Sequence, residues 1–322
     1  MGSVLEVRNL RLYYHTGKGA VRAVDDVSFS LAEGETLGLV GESGCGKTTM
    51  GLALLKMPTP PGRIEGGSIL IDGRDIVPLG ETAVRRTVRW VKISMVFQGA
   101  MNCLTPVYTV GRQMLETLRN HKTMARDEAE RIIAMYLGLV GLSPETVRRY
   151  PHELSGGMKQ RVVIAMALFL EPRIVILDEP TTALDVIVQA QIINLLKELK
   201  RSLKLSFLFI THDLATEAEV ADRILVMYAG RVAEIGTNQQ IFGGGSGHPY
   251  TRRLLAATPR IHEKVSELSF IPGAPPDLLD PPTGCRFHVR CPEVMDRCRT
   301  EMPPLVQVED GHASACWRCV HG

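Results

Sequence analysis

The sequence predicts an α/β fold built around a phosphate-binding loop. Residues 41–49 contain the pattern G-x-x-x-x-G-K-[ST], between an apolar strand at 37–40 and a helix-forming run at 50–56. Three further apolar segments, each ending in polar residues, lie at 93–97, 174–177 and 206–210. Such strands, alternating with helical segments, are typical of an open parallel sheet that binds its ligand at the carboxyl edge.

The phosphate-binding loop has the residues that a nucleotide needs. Its glycines allow the backbone to turn so that successive N–H groups face one anion, and the following helix adds its positive end. Lys47 can reach the β- and γ-phosphates, and the Thr48 hydroxyl can bind Mg²⁺. The alternative is a glycine-rich turn followed by Lys-Thr by chance, and the flanking strand and helix argue against it.

Composition limits the classes of protein that remain. A chain of 322 residues exceeds one typical domain, so we expect one large core with a smaller appendage. The net charge of +2 gives weak support for a nucleic-acid partner. The longest apolar run, Val162 to Leu170, is shorter than the ~20 residues of a membrane span. The N-terminus lacks the pattern of a secretory signal, so we expect a cytosolic chain that reaches a membrane through a partner.

Periodicity predicts the remaining elements. Residues 5–31 alternate between apolar and polar and predict an antiparallel β-segment. Two further segments, 66–73 and 221–234, each predict a β-hairpin. Residues 110–142 have helical periodicity and predict a largely solvated helical insertion. Ser155 is a candidate N-cap for a helix that runs through residues 162–168.

Polar residues at the strand ends are candidate catalytic and metal-binding groups. Asp178 and Glu179 follow an apolar strand, where two carboxylates are costly unless they have a task. Asp178 is suited to hold Mg²⁺, and Glu179 is suited to orient or deprotonate an attacking water. Gln98 and His212 end two other strands and face the same predicted crevice, although each is also consistent with a simple strand end.

Two tyrosines, Tyr13 and Tyr14, end a predicted strand before the phosphate-binding loop. An aromatic ring there is suited to stack on a nucleotide base. Ordinary packing in the sheet explains the pair equally well, so both interpretations stay open.

Cysteines are concentrated at the C-terminal end. A glycine-rich stretch at 243–247 predicts a flexible break, a proline-rich segment follows at 272–282, and five cysteines lie at 285, 291, 298, 316 and 319. In a cytosolic protein such a cluster favours metal binding over disulfides. The spacings suit either Zn²⁺ or an iron–sulfur cluster and match neither template closely.

Taken in order, these motifs resemble the ATP-binding subunits of ABC transporters. The set comprises the phosphate-binding loop, Gln98, the signature stretch Leu154-Ser155-Gly156-Gly157, Asp178-Glu179, Ala183-Leu184-Asp185 and His212. Details at 40–47 and 95–98, with the tail from Gly284 onward, are similar to the branch that imports oligopeptides, dipeptides and nickel. One departure is Leu104-Thr105-Pro106, where the branch commonly has Leu-Asn-Pro in a stretch that contacts the membrane partner.

The resemblance implies a P-loop NTPase core with an antiparallel β subdomain and a helical subdomain at about 107–165. It places the ATP-binding domain at 1–245 and a small Cys- and Pro-rich extension at 246–322. The implied function is an ATP-hydrolysing motor subunit of an importer of peptides or a related small solute, peripheral on the cytoplasmic face of the membrane. The alternative is a soluble ABC-type ATPase not coupled to transport; the single ATP-binding domain and near-neutral charge argue against it.

The resemblance also assigns individual roles. Residues that would hold the phosphates of ATP are Ser43, Gly44, Cys45 (as a packing position), Gly46, Lys47, Thr48 and Thr49. Those that would arrange Mg²⁺ are Thr48, Gln98 and Asp178. Glu179 would act as general base, and His212 would clamp the γ-phosphate. Tyr14, with Tyr13 as the second choice, would stack on adenine.

Partners and the tail are implied in the same way. Ser155 and Gly157 would complete the ATP site of a second ATP-binding subunit, arranged head to tail with this one. We expect that subunit to be a paralogue, and Asp185 would bridge the two subunits. Two transmembrane permease subunits would dock near 98–113, with an extracytoplasmic solute-binding protein in the full complex and no nucleic acid. Four cysteines would hold a [4Fe–4S] cluster, with Zn²⁺ or free thiols as the alternatives: Cys285, Cys291, Cys298 and Cys316. Cys319 is then spare or replaces Cys316.

Overall fold

The computed structural model describes residues 2–257 and 271–320, which form two compact units. Unit 1 consists of residues 2–4, 32–34 and 78–208, and unit 2 of residues 5–31, 35–77, 209–257 and 271–320. The predicted domain boundary at 245 falls inside unit 2. The predicted extension, 246–322, includes residues 258–270 and 321–322, which lie outside the described residues.

The described elements follow the predicted α/β order. The strands are β1 (Ser3–Thr16), β2 (Gly19–Ala32), β3 (Thr36–Val40), β4 (Gly62–Ile71), β5 (Arg74–Asp75), β6 (Ile93–Val96), β7 (Ile174–Asp178), β8 (Ser206–Ile210), β9 (Arg223–Tyr228), β10 (Arg231–Thr237), β11 (Val306–Glu309) and β12 (His312–Ser314). The helices are α1 (Lys47–Leu54), α2 (Glu81–Thr87), α3 (Val110–Arg119), α4 (Arg126–Leu139), α5 (Gly156–Leu168), α6 (Val186–Leu203), α7 (Leu214–Val220), α8 (Asn238–Phe242), α9 (Pro249–Ala256) and α10 (Asp296–Thr300). Short 3₁₀ helices are Ala100–Asn102, Pro144–Arg148, Pro151–Glu153, His288–Arg290 and Trp317–Cys319.

An antiparallel sheet in unit 2 has the strand order β2-β1-β4-β5. β1 pairs with β4 from Leu5 opposite Ile71 to Tyr14 opposite Gly62, with register shifts between Arg8 and Leu12. The alternation of apolar and polar residues in β1 turns one face of the strand into the core. The predicted antiparallel segment and the hairpin at 66–73 are therefore confirmed.

A second group of strands in unit 2 positions the phosphate-binding loop. β3, which leads into the loop, runs parallel to β9, and β9 forms an antiparallel hairpin with β10. The hairpin turns at Ala229 and Gly230, whose φ angles of 47° and 82° suit a tight two-residue turn. β12 pairs antiparallel with β10, and β11 with β12, so the extension adds two strands beside β10.

The apolar core of unit 2 also includes the extension. Its buried cluster combines Val226 and Tyr228 of β9 with Tyr250 and Phe287 of the extension. The flexible break predicted at 243–247 is wrong at its C-terminal end. The Ser246 hydroxyl and the backbone N–H groups of Gly247 and His248 all donate to the buried carboxylate of Glu234.

Unit 1 contains parallel strands and the helical subdomain. β6 runs parallel to β7, and the strand order continues β8-β7-β6. The helical insertion predicted at 110–142 is two helices, α3 and α4, with a break between them. None of the helices within residues 2–257 and 271–320 is both long enough and apolar enough to cross a lipid bilayer.

Candidate functional site

The phosphate-binding loop in unit 2 requires glycine at two positions. Gly41 has a φ of 151°, and a Cβ there would lie 2.2 Å from the carbonyl oxygen of Met227. Gly46 has a φ of 107°, and a Cβ would lie 2.1 Å from the carbonyl oxygen of Ala23. α1 begins at Lys47 without a side-chain cap or an acidic residue in its first turn. Its positive end is therefore suited to an external anion.

Lys47 is folded into its own loop. Its Nζ donates to the carbonyl oxygens of Gly41 at 2.7 Å and Glu42 at 3.1 Å. Cys45 is buried beside it, and burial raises the pKa of the Cys45 thiol. Ser43, Gly44 and Thr48 are exposed, and Thr49 is half-buried. Because Lys47 contacts only uncharged acceptors in these two bonds, a phosphate group would compete well for its ammonium group.

The two tyrosines of β1 have different neighbours. The Tyr14 hydroxyl lies 3.3 Å from Oγ1 of Thr49, and its ring packs against Gly62. The Tyr13 hydroxyl donates to Asp25 at 2.6 Å, and burial raises the pKa of Tyr13 to about 12. Tyr14 is therefore the tyrosine that contacts the helix following the loop.

A second set of predicted residues meets at the strand ends of unit 1. Asp178 is the buried last residue of β7, and Glu179 follows with a φ of 48°, in the left-handed region. Gln98 Nε2 donates to Oε2 of Glu179 at 2.8 Å. Thr182 Oγ1 donates to the same oxygen at 2.9 Å. The carboxylate of Glu179 is thus oriented by two side-chain donors in a strained backbone position typical of active sites.

Ser155 and Asp185 lie at the starts of two packed helices in unit 1. Ser155 is exposed and caps α5 by accepting from the backbone N–H of Met158 at 3.3 Å, which confirms the predicted N-cap. Asp185 caps α6 by accepting from Val188 at 3.0 Å. Gly157 is buried, and a Cβ there would lie 2.6 Å from Cγ1 of Val188. The glycine therefore allows the two helix starts to approach closely.

The predicted residues are divided between the two units. Tyr14, the loop and His212 belong to unit 2, as do the C-terminal cysteines, whereas the strand-end and helix-start residues between Gln98 and Asp185 belong to unit 1. His212 is exposed after β8, one residue before Asp213, which caps α7.

Sequence reasoning missed the partners that orient these residues. Thr182 is close in sequence, and the Thr-Thr pair after Pro180 was the available indication. Glu42 occupies a variable position of the loop motif and is bound by Arg290 and Tyr250, which no local pattern could connect to it.

The C-terminal cysteines are free thiols in and around the core. Burial chiefly raises the pKa of Cys285 to about 11 and that of Cys316 to about 12, and neighbouring cysteines add to both shifts. Among the described residues no group of three or more His, Cys, Asp or Glu side chains is arranged to hold a metal ion. As placed, these side chains do not form a metal site, so the predicted iron–sulfur or zinc assignment is not shown by the structure.

Comparisons with known proteins identify the family. A family model described as "ABC transporter" matches residues 24–182, and one described as "Oligopeptide/dipeptide transporter, C-terminal region" matches residues 233–298. The dipeptide transport ATP-binding protein DppD of Bacillus subtilis is 46% identical over 98% of this chain and 95% of its own length. The oligopeptide transport ATP-binding protein OppD of Salmonella typhimurium is 47% identical over 98% and 94%. The chain belongs to the family of ABC transporter ATP-binding proteins.

Solved structures agree with this membership. A dimeric bacterial ABC transporter cassette, MJ0796, matches with a TM-score of 0.64 and 28% identity over 73% of this chain and 98% of its own. A dimeric post-hydrolysis state of MJ0796 with ADP and Pi has a TM-score of 0.64, 27% identity and the same coverage. The predicted ABC ATPase fold, the ATPase activity and the transport role are confirmed, against the alternative of a soluble ATPase.

Proposed function

We propose that this ABC cassette is the ATP-hydrolysing subunit of an importer of peptides or a related small solute, acting on the cytoplasmic face of the membrane. The observation that carries the proposal is the extension. It resembles the C-terminal region of oligopeptide and dipeptide transporters, and it shares strands and core with the cassette. Relatives named for peptide transport cover nearly the full length of the chain.

The loop residues would bind the phosphates of ATP. Lys47 would exchange the carbonyl oxygens of Gly41 and Glu42 for phosphate oxygens, with the N–H groups from Ser43 to Thr49 around them. The remaining loop positions, Gly44, Cys45, Gly46 and Thr48, shape the loop or face the nucleotide. Tyr14 would stack on adenine, since it already contacts Thr49 of α1.

Hydrolysis would depend on the strand-end residues. Thr48, Gln98 and Asp178 would hold Mg²⁺, which when bound neutralises charge on the β- and γ-phosphates. Glu179 would accept a proton from the attacking water, with Gln98 and Thr182 fixing its carboxylate. His212 would contact the γ-phosphate.

A second ATP-binding subunit would complete the site. The chain has one phosphate-binding loop and one signature stretch, so Ser155, Gly157 and Asp185 would serve the nucleotide of a head-to-tail partner, which we expect to be a paralogue. The dimeric form of the MJ0796 cassette supports this arrangement. Two permease subunits and an extracytoplasmic solute-binding protein would complete the importer, without nucleic acid.

Replacing Glu179 by Gln tests the catalytic assignment. We expect single-turnover hydrolysis to slow by about 10²–10⁴-fold, because general base catalysis is lost, while ATP binding persists. Glu198→Gln, at an exposed position of α6, should behave as wild type. Hydrolysis by Glu179→Gln at the wild-type rate would contradict the role of this residue.

Uptake in vesicles tests the transport assignment. With the partner subunits reconstituted, we expect wild type to take up labelled di- and oligopeptides only when ATP is present on the cassette side, and Glu179→Gln to take up none. ATP-dependent uptake of a non-peptide solute, with none for peptides, would overturn the peptide assignment while leaving the ATPase role intact.

We propose separately that Cys285, Cys291, Cys298 and Cys316 bind an iron–sulfur cluster or, as the alternative, zinc. The support is chemical and local: the four thiols lie in one segment, Cys285 and Cys291 pack against the same apolar cluster, and the backbone N–H of Cys285 donates to the carbonyl oxygen of Cys298 at 2.8 Å. Binding would require the side chains to converge further and to lose their protons.

Metal analysis of anaerobically purified protein tests this assignment. We expect roughly four irons per chain and a brown colour for a cluster, or one zinc for the alternative. Cys298→Ser should lose the metal, and Cys103→Ser, at an exposed position outside the segment, should retain it. A metal-free wild-type protein would contradict the proposal.

A further inference from the structure

Glu42, a residue of the phosphate-binding loop, is held by an arginine of the extension. Arg290 Nη1 donates to Oε2 of Glu42 at 2.6 Å, and Nη2 donates to Oε1 at 2.9 Å. The side chain of Arg290 is only 5% exposed and that of Glu42 is 23% exposed. Two parallel charge-assisted hydrogen bonds in such a shielded place fix orientation as well as distance.

The guanidinium of Arg290 has no freedom to turn. Its Nε donates to the carbonyl oxygen of Pro272 at 2.9 Å. Its remaining N–H groups donate to the carbonyl oxygen of Ile271 at 3.1 Å and to the Tyr228 hydroxyl at 3.2 Å. All five donors of an arginine therefore have acceptors, and Glu42 meets a rigid partner.

A tyrosine of the extension holds the backbone of the same loop residue. The hydroxyl of Tyr250 accepts from the backbone N–H of Glu42 at 2.9 Å. The Tyr250 ring is fully buried, with centroid distances of 4.5 Å to Tyr228 and 5.3 Å to Phe287. The Glu42 carbonyl oxygen accepts from Lys47. Side chain, N–H and carbonyl of one loop residue are thus all engaged.

We propose that Arg290 and Tyr250 are positioning residues of the ATPase: they hold Glu42 and so set the loop conformation in which Lys47 and the start of α1 meet the phosphates. The inference rests on the proposed binding of ATP by this loop. Glycines at 41, 44 and 46, all with positive φ, leave the loop little stiffness of its own. An anchor outside the motif therefore reduces the conformations that ATP must select.

The kinetic constants KM and kcat distinguish a positioning role of Arg290 and Tyr250 from a role in folding alone. An anchored loop binds the phosphates equally before and during hydrolysis, so losing the anchor should raise KM for ATP and leave kcat nearly unchanged. A purely structural role would instead lower the active fraction, which reduces apparent kcat at constant KM.

Steady-state ATPase assays of the assembled transporter test the inference. For Arg290→Met we expect KM for ATP to rise by about tenfold or more, since hydrogen bonds to a charged group are lost. Tyr250→Phe should raise KM by a smaller factor. Arg299→Met is the matched control, since Arg299 is an exposed arginine of the extension. It should retain the wild-type KM for ATP.

A double variant covers the case in which Arg290→Met fails to fold because it leaves Glu42 shielded and unpaired. Glu42→Gln combined with Arg290→Met removes both charges, so we expect the double variant to fold. Its KM for ATP should still be raised. Because the two residues form one contact, this KM should not exceed the KM of either single variant that folds. A folded double variant with wild-type KM would overturn the inference.

Lys47→Ala distinguishes this inference from the proposed function. We expect Lys47→Ala to abolish ATP binding by the full chain in calorimetry with a non-hydrolysable ATP analogue. Retained binding in Lys47→Ala would reject the proposed ATP site itself. Lost binding in Lys47→Ala, together with unchanged KM in Arg290→Met and the double variant, would reject only the role of the extension.

Discussion

At the scale of single residues, Glu217 shows what burial does to a carboxyl group. It lies on α7 with no exposed surface, close enough to Gly38 that a Cβ there would be 2.2 Å from its Oε2. Burial raises the pKa of Glu217 well above the ordinary value of 4.5. The folded protein therefore keeps this group protonated at pH values at which the unfolded chain ionises it.

The pH dependence of stability should change in Glu217→Gln. In wild type the contribution of this group to the free energy of unfolding is complete below pH 4.5 and is lost as pH rises toward the raised pKa. Glutamine is neutral throughout, so the variant should gain stability relative to wild type between about pH 5 and 8. Urea unfolding at several pH values measures this.

An exposed carboxylate provides the comparison for Glu217. Glu116→Gln, on the surface of α3, should give a stability profile parallel to that of wild type. A Glu217→Gln profile that is also parallel would show that Glu217 ionises alike in the folded and unfolded states.

At the scale of elements, the turn into α1 depends on glycine geometry, whereas the last turn of α4 does not. Gly46 has a positive φ and a backbone oxygen where a side chain would begin. Gly138 lies in α4 with open space around it and no positive φ. One substitution, glycine to alanine, should therefore have opposite effects at the two positions.

Gly46→Ala should lower the free energy of unfolding by about 1–3 kcal/mol and weaken ATP binding, because the backbone must leave its left-handed conformation. Gly138→Ala, one residue before the end of α4, should raise it by up to about 0.5 kcal/mol, because alanine favours the helix and the gain is smaller in a last turn than in a helix interior. Chemical denaturation with nucleotide titration measures both. Equal effects at the two sites would contradict the argument.

Elements with strong local patterns were predictable, and those defined by distant contacts were not. Alternation and apolar runs located the core strands, and Ser155 identified the start of α5. β11 and β12 have only four and three residues and gain their structure by pairing beside β10, far away in sequence. The contacts of Arg290 with Glu42 were hidden for the same reason, since 248 positions separate them.

At the scale of the whole molecule, a single copy contains one phosphate-binding loop and one signature stretch. Two helix starts facing one triphosphate neutralise it better than one, which favours association when ATP is bound. A variant that binds ATP but hydrolyses it slowly should therefore stay in the dimeric state for longer.

Glu179→Gln with ATP and Mg²⁺ should therefore double in mass in sedimentation experiments, either with itself or on addition of the paralogue that we propose as its partner. Lys47→Ala under the same conditions should remain a monomer, because it lacks bound nucleotide. A monomeric Glu179→Gln with ATP bound and the paralogue present would contradict the head-to-tail arrangement.

The pairing of β12 with β10 also has a consequence for biosynthesis. An unpaired strand edge is a template for wrong association, and chains emerge from the ribosome N-terminus first. β10 is complete at Thr237, whereas its neighbour is made only at His312–Ser314. During the synthesis of the intervening residues that edge has no native partner, so a nascent chain stalled in this interval would be the species most in need of a chaperone.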